Sequence, residues 1–149
     1  MNLKKALSKH SVKLSLEAVE KDGIIEELID VLDAAGKLSD REAALKAVRD
    51  RERKMSTGMQ NGIAIPHGKS PTVESLVAAV GFKPEGCDFD SIDGKPCQVF
   101  ILTISPANRT GPHIQFLAEI SRLLHEEAVR KELVEADSSE SVIEILTRS

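Results

Sequence analysis

Tryptophan and tyrosine are absent from this sequence, and only four phenylalanines occur in its 149 residues. A core built on large aromatic rings is excluded, so leucine, isoleucine, valine and alanine must fill it. Platforms on which bases could stack are missing as well. With a formal net charge of −4 and no basic block, the chain would repel a phosphate backbone, and nucleic-acid binding is not expected. Cysteine is scarce: Cys87 and Cys97 lie outside any CxxC spacing. That excludes a disulfide framework and a structural zinc site, and it fits two free thiols in a reducing cytoplasm. No run approaches the roughly 20 apolar residues that cross a bilayer, so direct membrane insertion is not expected. The opening Met1-Asn-Leu-Lys-Lys-Ala-Leu7 lacks the apolar stretch of a signal peptide. A cytoplasmic location follows as the expectation.

What is present describes a globular chain. Hydrophobic residues make up 41% and charged residues 30%, and the length suits one core, so residues 1–149 are expected to form a single domain. Val12, Leu14 and Leu16 alternate with polar neighbours, the period of a half-buried strand. From Gly23 to Ala35 the period changes: Ile24, Ile25, Leu28, Ile29, Leu32 and Ala35 make one stripe of a helix that Gly36 stops. Ser39 and Glu42 have capping-box spacing and open a second helix to about Lys54, whose modest apolar face (Ala44, Leu45, Val48) leaves much of it toward water. Leu76–Phe82 and Val99–Ile104 are continuous apolar runs, as in strands covered on both faces. Asp93-Gly94 is a turn signal that pairs Phe89–Ile92 with the run starting near Cys97. Helices are expected at about Pro112–His125, Glu126–Ala136 and Ser139–Thr147. The whole reads as a layered α/β domain: a mixed parallel/antiparallel sheet with helices on both faces.

Glycine and proline crowd between Gly58 and Pro71. Gly62-Ile-Ala-Ile-Pro-His-Gly-Lys-Ser70 ends like a nucleotide-binding loop, but five residues separate its glycines where that loop has four. Pro66 also removes a backbone donor and Pro71 follows at once, so a phosphate cradle is excluded. His67 is the stronger candidate. Ile63 and Ile65 anchor a short strand, Pro66 should end its pairing, and Gly68 lets a ligand or another backbone come close. An imidazole on such a stiff base is a good nucleophile near neutral pH; the plainer alternative is an idle loop histidine. In Gly111-Pro-His113, proline suits the first turn of a helix, and positions 113, 117, 120 and 124 continue one stripe. His113 therefore sits where a helix N-terminus favours an anion, or else merely packs at the stripe's edge. Arg49, Arg51, Arg53 and Lys54 suit a solvated helix C-terminus, and one arginine turned toward His67 could clamp phosphate oxygens. A metal held by His67 and His113 with Asp88 or Asp90 lacks any recognisable ligand spacing. His10 and His125 read as surface residues.

The run Arg51-Glu-Arg-Lys-Met-Ser-Thr-Gly-Met-Gln-Asn-Gly-Ile-Ala-Ile-Pro-His-Gly-Lys69 resembles the active-site signature of the fructose/mannitol/nitrogen-regulatory class of enzyme IIA domains. These belong to the bacterial phosphoenolpyruvate-dependent phosphotransferase system, and the resemblance covers essentially the whole chain. It implies a phosphocarrier in which His67 accepts a phosphoryl group from phospho-HPr. His113 fits the second family histidine through His113-Ile-Gln-Phe-Leu117, and Arg51-Glu52 fits the family arginine, with Arg49 and Arg53 as alternatives. The acceptor implied is either a IIB domain, in sugar uptake, or regulatory target proteins, in nitrogen-type members. His-Gly-Lys after the proline and the lack of a fused IIB or IIC segment lean toward the regulatory type. A module that keeps the fold without phosphotransfer is the remaining alternative. No cofactor and no metal are implied, because phosphohistidine is already a reactive donor. Arg51, His113 and backbone N–H groups would neutralise the phosphoryl oxygens. Met59, Ile63 and Ile65 would exclude water and offer HPr a flat apolar face.

Overall fold

The two long apolar runs pair with each other. In the computed structural model, which describes residues 3–148, β4 (Val77–Cys87) lies antiparallel to β5 (Cys97–Pro106), with Val77 opposite Ile104 and Phe82 opposite Val99. The ends of the expected 1–149 domain, Met1, Asn2 and Ser149, lie outside the described residues. On the far side of β4 runs β1 (Val12–Lys13), parallel to it. On the far side of β5 run β2 (Ile63–Ala64) and β3 (His67–Ser70), both parallel to β5. The sheet is mixed, as expected.

Strand alternation explains why the runs are continuous. In β5, Val99 and Ile101 join a cluster with Phe116, Ile120, Leu133 and Leu146, while Phe100, Leu102 and Ile104 join Ile24, Leu28, Leu32 and Leu45 on the other face. The first cluster is roofed by α4 (Gly111–Leu124), α5 (Glu127–Glu135) and α6 (Ser139–Thr147), and the short α1 (Leu3–Ala6) adds Ala6 to it. The second is roofed by α2 (Lys21–Ala34) and α3 (Arg41–Lys54). Both faces are thus dry, and no polar alternation is tolerated.

The helix ends follow local chemistry. Beyond α2, Gly36 takes φ +74°, its N–H donates to Asp33 (3.0 Å), and Lys37 N–H donates to Leu32 (3.0 Å). This double closure needs the left-handed region, where a glycine carries no Cβ penalty. The start of α3 corrects one expectation: Asp40, not Ser39, is the cap, its carboxylate accepting from Ala43 N–H at 3.1 Å. Ser39 instead donates its hydroxyl to the Thr72 carbonyl at 2.7 Å, and Glu42 makes no return bond to the cap but pairs with Arg41.

Two further expectations change. Asp93-Gly94 does turn the chain, with Gly94 N–H on Ser91 at 3.0 Å, but Phe89–Ile92 forms no strand beside Cys97. Cys87 itself faces Cys97 across the β4–β5 pair, and the intervening loop folds back on residues 56–58 through Ser56 Oγ to the Phe89 carbonyl (2.6 Å) and Ile92 N–H to the Gly58 carbonyl (3.2 Å). Buried Phe89 then packs its ring against Phe100, centroids 5.4 Å apart, rather than extending the ladder. The Val12–Leu16 alternation yields only a two-residue strand, closed by Leu16 N–H on the Phe82 carbonyl at 2.8 Å. Among the described residues, no helix is long and apolar enough to cross a membrane.

Candidate active site

Pro66 does not stop the pairing along β5. It lacks an N–H, yet its carbonyl accepts from Thr103 N–H at 3.1 Å, and pairing resumes at once with His67 opposite Thr103. The chain needs no donor at position 66, so the proline costs nothing there. His67 is therefore the first residue of β3 rather than a residue beyond a strand's end. It is half-buried, not fully at the surface.

Successive β3 side chains point to opposite faces. Gly68 faces α3, where an added Cβ would stand 2.9 Å from the backbone carbon of Ala47 and the nitrogen of Val48. The backbone that Gly68 admits is thus α3's own, and the close fit seats the middle of that helix against β3. His67 and Lys69 face the other way, toward the N-terminus of α4. His113 stands in that first turn, with proline in the first two positions, and its ring centroid lies 4.6 Å from that of His67 at 39° between planes.

The His67 ring is oriented by its own backbone. Its Nδ1 lies 2.9 Å from the Ile65 carbonyl oxygen. A carbonyl only accepts, so Nδ1 carries the hydrogen, and in the neutral ring Nε2 holds the free lone pair. Burial pushes the His67 pKa below 6.5, against the pull of that hydrogen bond, and the charges of Arg51 and Lys69 act in the same direction as burial. His113 is driven further, to about 4, by burial first and then by His67, Lys69 and Arg51. At neutral pH both rings are uncharged, and His67 is in its nucleophilic form. The buried Nδ1 of His113 meets no hydrogen-bond partner among the described residues.

The basic cluster at the end of α3 resolves residue by residue. Arg49 pairs with Glu26 at 3.3 Å and Arg53 with Asp50 at 3.0 Å. Arg51 donates through Nη1 to the Met55 carbonyl at 2.7 Å, and among the described residues it has no carboxylate partner. Its remaining N–H groups are free to meet an anion, and its charge reaches both imidazoles. Of the arginines considered, Arg51 is the one brought to the histidines with its charge unspent. His10 and His125 are exposed. Asp90 pairs with Lys21 at 3.3 Å, and among the described residues no group of three His, Cys, Asp or Glu is placed to hold a metal.

The expected apolar surround needs correction. Ile63 and Ile65 are 6% exposed and belong to the core, so they cannot form a docking face. Met59 is exposed, and with it Met55, whose carbonyl holds Arg51, and Ile114, next to His113. Lys69, which no sequence motif marks as a site residue, also bears on both imidazoles through its charge. Once β3 is known to continue past Pro66, the two-residue alternation from His67 places it on the same face. Glu52, beside Arg51 in the sequence, is 7% exposed and accepts from Thr57 N–H at 2.7 Å and from the Thr57 hydroxyl.

The family model described as "Phosphoenolpyruvate-dependent sugar phosphotransferase system, EIIA 2" matches residues 5–149. The fructose-specific EIIABC component of Bacillus subtilis is 38% identical over 99% of this chain, which spans 23% of that protein's length. The fructose-specific EIIA component of Haloferax volcanii is 38% identical over 91% of this chain and 88% of its own. Among solved structures, the nitrogen regulatory protein IIA-Ntr of Neisseria meningitidis superposes with a TM-score of 0.90 at 30% identity, covering 97% of this chain and 99% of that one.

Proposed function

Because the chain belongs to the EIIA 2 family of the phosphoenolpyruvate-dependent sugar phosphotransferase system, we propose that it is a phosphocarrier whose His67 takes a phosphoryl group from phospho-HPr and passes it on. The observation that carries this is the Nδ1 of His67 tied to the Ile65 carbonyl at 2.9 Å, which aims a bare Nε2 away from its own backbone. In the step proposed, the Nε2 lone pair forms the N–P bond as the bond from phosphorus to the HPr histidine breaks. The Nδ1 hydrogen stays on the ring, donated to the Ile65 carbonyl. Arg51 and His113 flank the ring and meet the charge on the transferring oxygens, a role that calls for placed donors and no covalent chemistry of their own. Lys69, on the same face, adds a positive charge.

The acceptor in this reading is a IIB domain serving sugar uptake. Support comes from the fructose-specific relatives, which share 38% identity over nearly the whole chain, against 30% for the nitrogen regulatory structure. The regulatory reading, in which target proteins sense the phosphorylation state, is favoured by His67-Gly68-Lys69 and by the TM-score of 0.90 to IIA-Ntr. Residues 1–149 act as one EIIA domain in the cytoplasm, where HPr is found. The test is incubation with phosphoenolpyruvate, enzyme I and HPr, followed by intact mass. One phosphoryl group is expected on the wild type and none on His67→Ala; a gain that survives the substitution refutes the assignment. Discharge by a fructose-type IIB domain then separates transport from regulation.

A further inference from the structure

A chain of hydrogen bonds runs from a buried ion pair to the ring of His67. Glu52, near the end of α3, is 7% exposed and takes the Lys21 ammonium at 2.8 Å from the start of α2. The same carboxylate accepts from Thr57 twice, through N–H at 2.7 Å and through the hydroxyl. Thr57 is 4% exposed, and its carbonyl accepts from Ile65 N–H at 3.1 Å. The carbonyl of that same Ile65 faces Nδ1 of His67. The neighbouring backbone follows suit, with Met59 N–H on the Ile63 carbonyl at 2.7 Å and Gly58 bridged to Ala64. Residues 57–59 thus lie along β2 like an extra strand, and Glu52 holds their near end.

We propose that Glu52, charged and anchored by Lys21, is a positioning residue that sets the tautomer of His67 through Thr57 and Ile65. Two physical points carry this. Residues 55–57 leave the helix after a C-cap in extended conformation; Arg51 holds the Met55 carbonyl and the Phe89 carbonyl takes the Ser56 hydroxyl, while the Glu52 carboxylate holds Thr57, the residue that bonds Ile65. A carboxylate held by a cation and two donors is also much stiffer than a neutral acceptor, so the Ile65 peptide plane stays where its oxygen meets Nδ1–H. If that plane tilts, the ring can carry its hydrogen on Nε2, and the lone pair points into the protein. The effect on phosphoryl transfer rests on the phosphocarrier reading; the effect on the ring does not.

The test is nitrogen-15 NMR of the imidazole in unphosphorylated protein, above the His67 titration, with transfer from phospho-HPr measured in parallel. Wild type is expected to show the Nδ1–H form. Glu52→Gln and, should that variant fail to fold, Lys21→Gln are expected to show a mixture of the two tautomers, with transfer slowed roughly 10–100-fold, the usual loss when an orienting partner goes. Thr57→Ser keeps both donors and is expected to retain the wild-type ring. A folded Glu52→Gln or Lys21→Gln protein with an unchanged tautomer overturns the proposal, whether or not transfer slows. If wild type itself takes no phosphoryl group, the phosphocarrier reading falls, and the tautomer comparison still decides the role of Glu52.

Discussion

At the scale of single residues, two imidazoles at 4.6 Å should not both be charged, and burial keeps both neutral. The consequence for chemistry is a pH profile shifted to the acid side. Transfer to His67 should fall off with a midpoint below 6.5, where a free histidine protonates. A stopped-flow or quench series across that range checks this; a midpoint at or above 6.5 contradicts it. For stability the sign is fixed by linkage. His113 has a depressed pKa when folded, so the unfolded chain binds its proton first, and stability is lost as pH drops from 6.5 toward about 4. Urea unfolding should therefore show a shallower loss over that interval in His113→Ala than in wild type. The same variant should fold but transfer about 10²–10³-fold more slowly, the usual cost of losing one placed donor. That His67, His113 and Arg51 come together was expected from the resemblance to enzyme IIA domains, whose motifs include all three. Lys69 was not, because its facing depends on whether β3 continues past Pro66, and that was settled by the Thr103 N–H of a strand more than thirty positions away.

At the scale of elements, the position of α3 against β3 decides whether Arg51 can reach His67. Gly68 is the contact that permits it, with 2.9 Å between a hypothetical Cβ and the α3 backbone. Gly68→Ala should force helix and strand apart, costing roughly 1–3 kcal/mol by overpacking, and should slow transfer as well, because Arg51 moves with the helix. Thermal unfolding together with the transfer assay reads both effects; a stable variant with normal transfer would remove α3 packing from the account. Asp40→Ala removes the α3 cap and should cost about 1 kcal/mol without touching transfer, since the cap lies at the far end of the helix. Period and length were enough to place α2, α4, α5 and α6 to within two residues. The Ser39 cap was misplaced by one residue because Ser39 and Asp40 are both good caps, and only the Thr72 carbonyl beside Ser39 decides between them. The proposed Phe89–Ile92 strand failed for a similar reason: the ladder to Cys97 was already filled by Cys87.

At the scale of the molecule, one mixed sheet with helices on both faces brings two residues of different origin, Arg51 from α3 and His113 from α4, to the ring of His67 on β3. Phe100 lies at the centre of the α2–α3 face and is fully buried. Phe100→Ala should cost about 3–5 kcal/mol and lower the unfolding midpoint in urea without changing the transfer rate of the folded fraction. The layered architecture was legible because continuous apolar runs in β4 and β5 demand cover on both sides. The wrapping of residues 57–59 along β2 was not, since its near end is bonded to Glu52, a charged residue that periodicity assigns to solvent. In the proposed role, Nε2 of His67, freed by the Ile65 carbonyl, is the atom that carries phosphorus. Phosphorus–nitrogen coupling in nitrogen-15-labelled, phosphorylated protein tests this most directly. Coupling to Nε2 of His67 is the expected result, and coupling to Nδ1, or to His113, contradicts it.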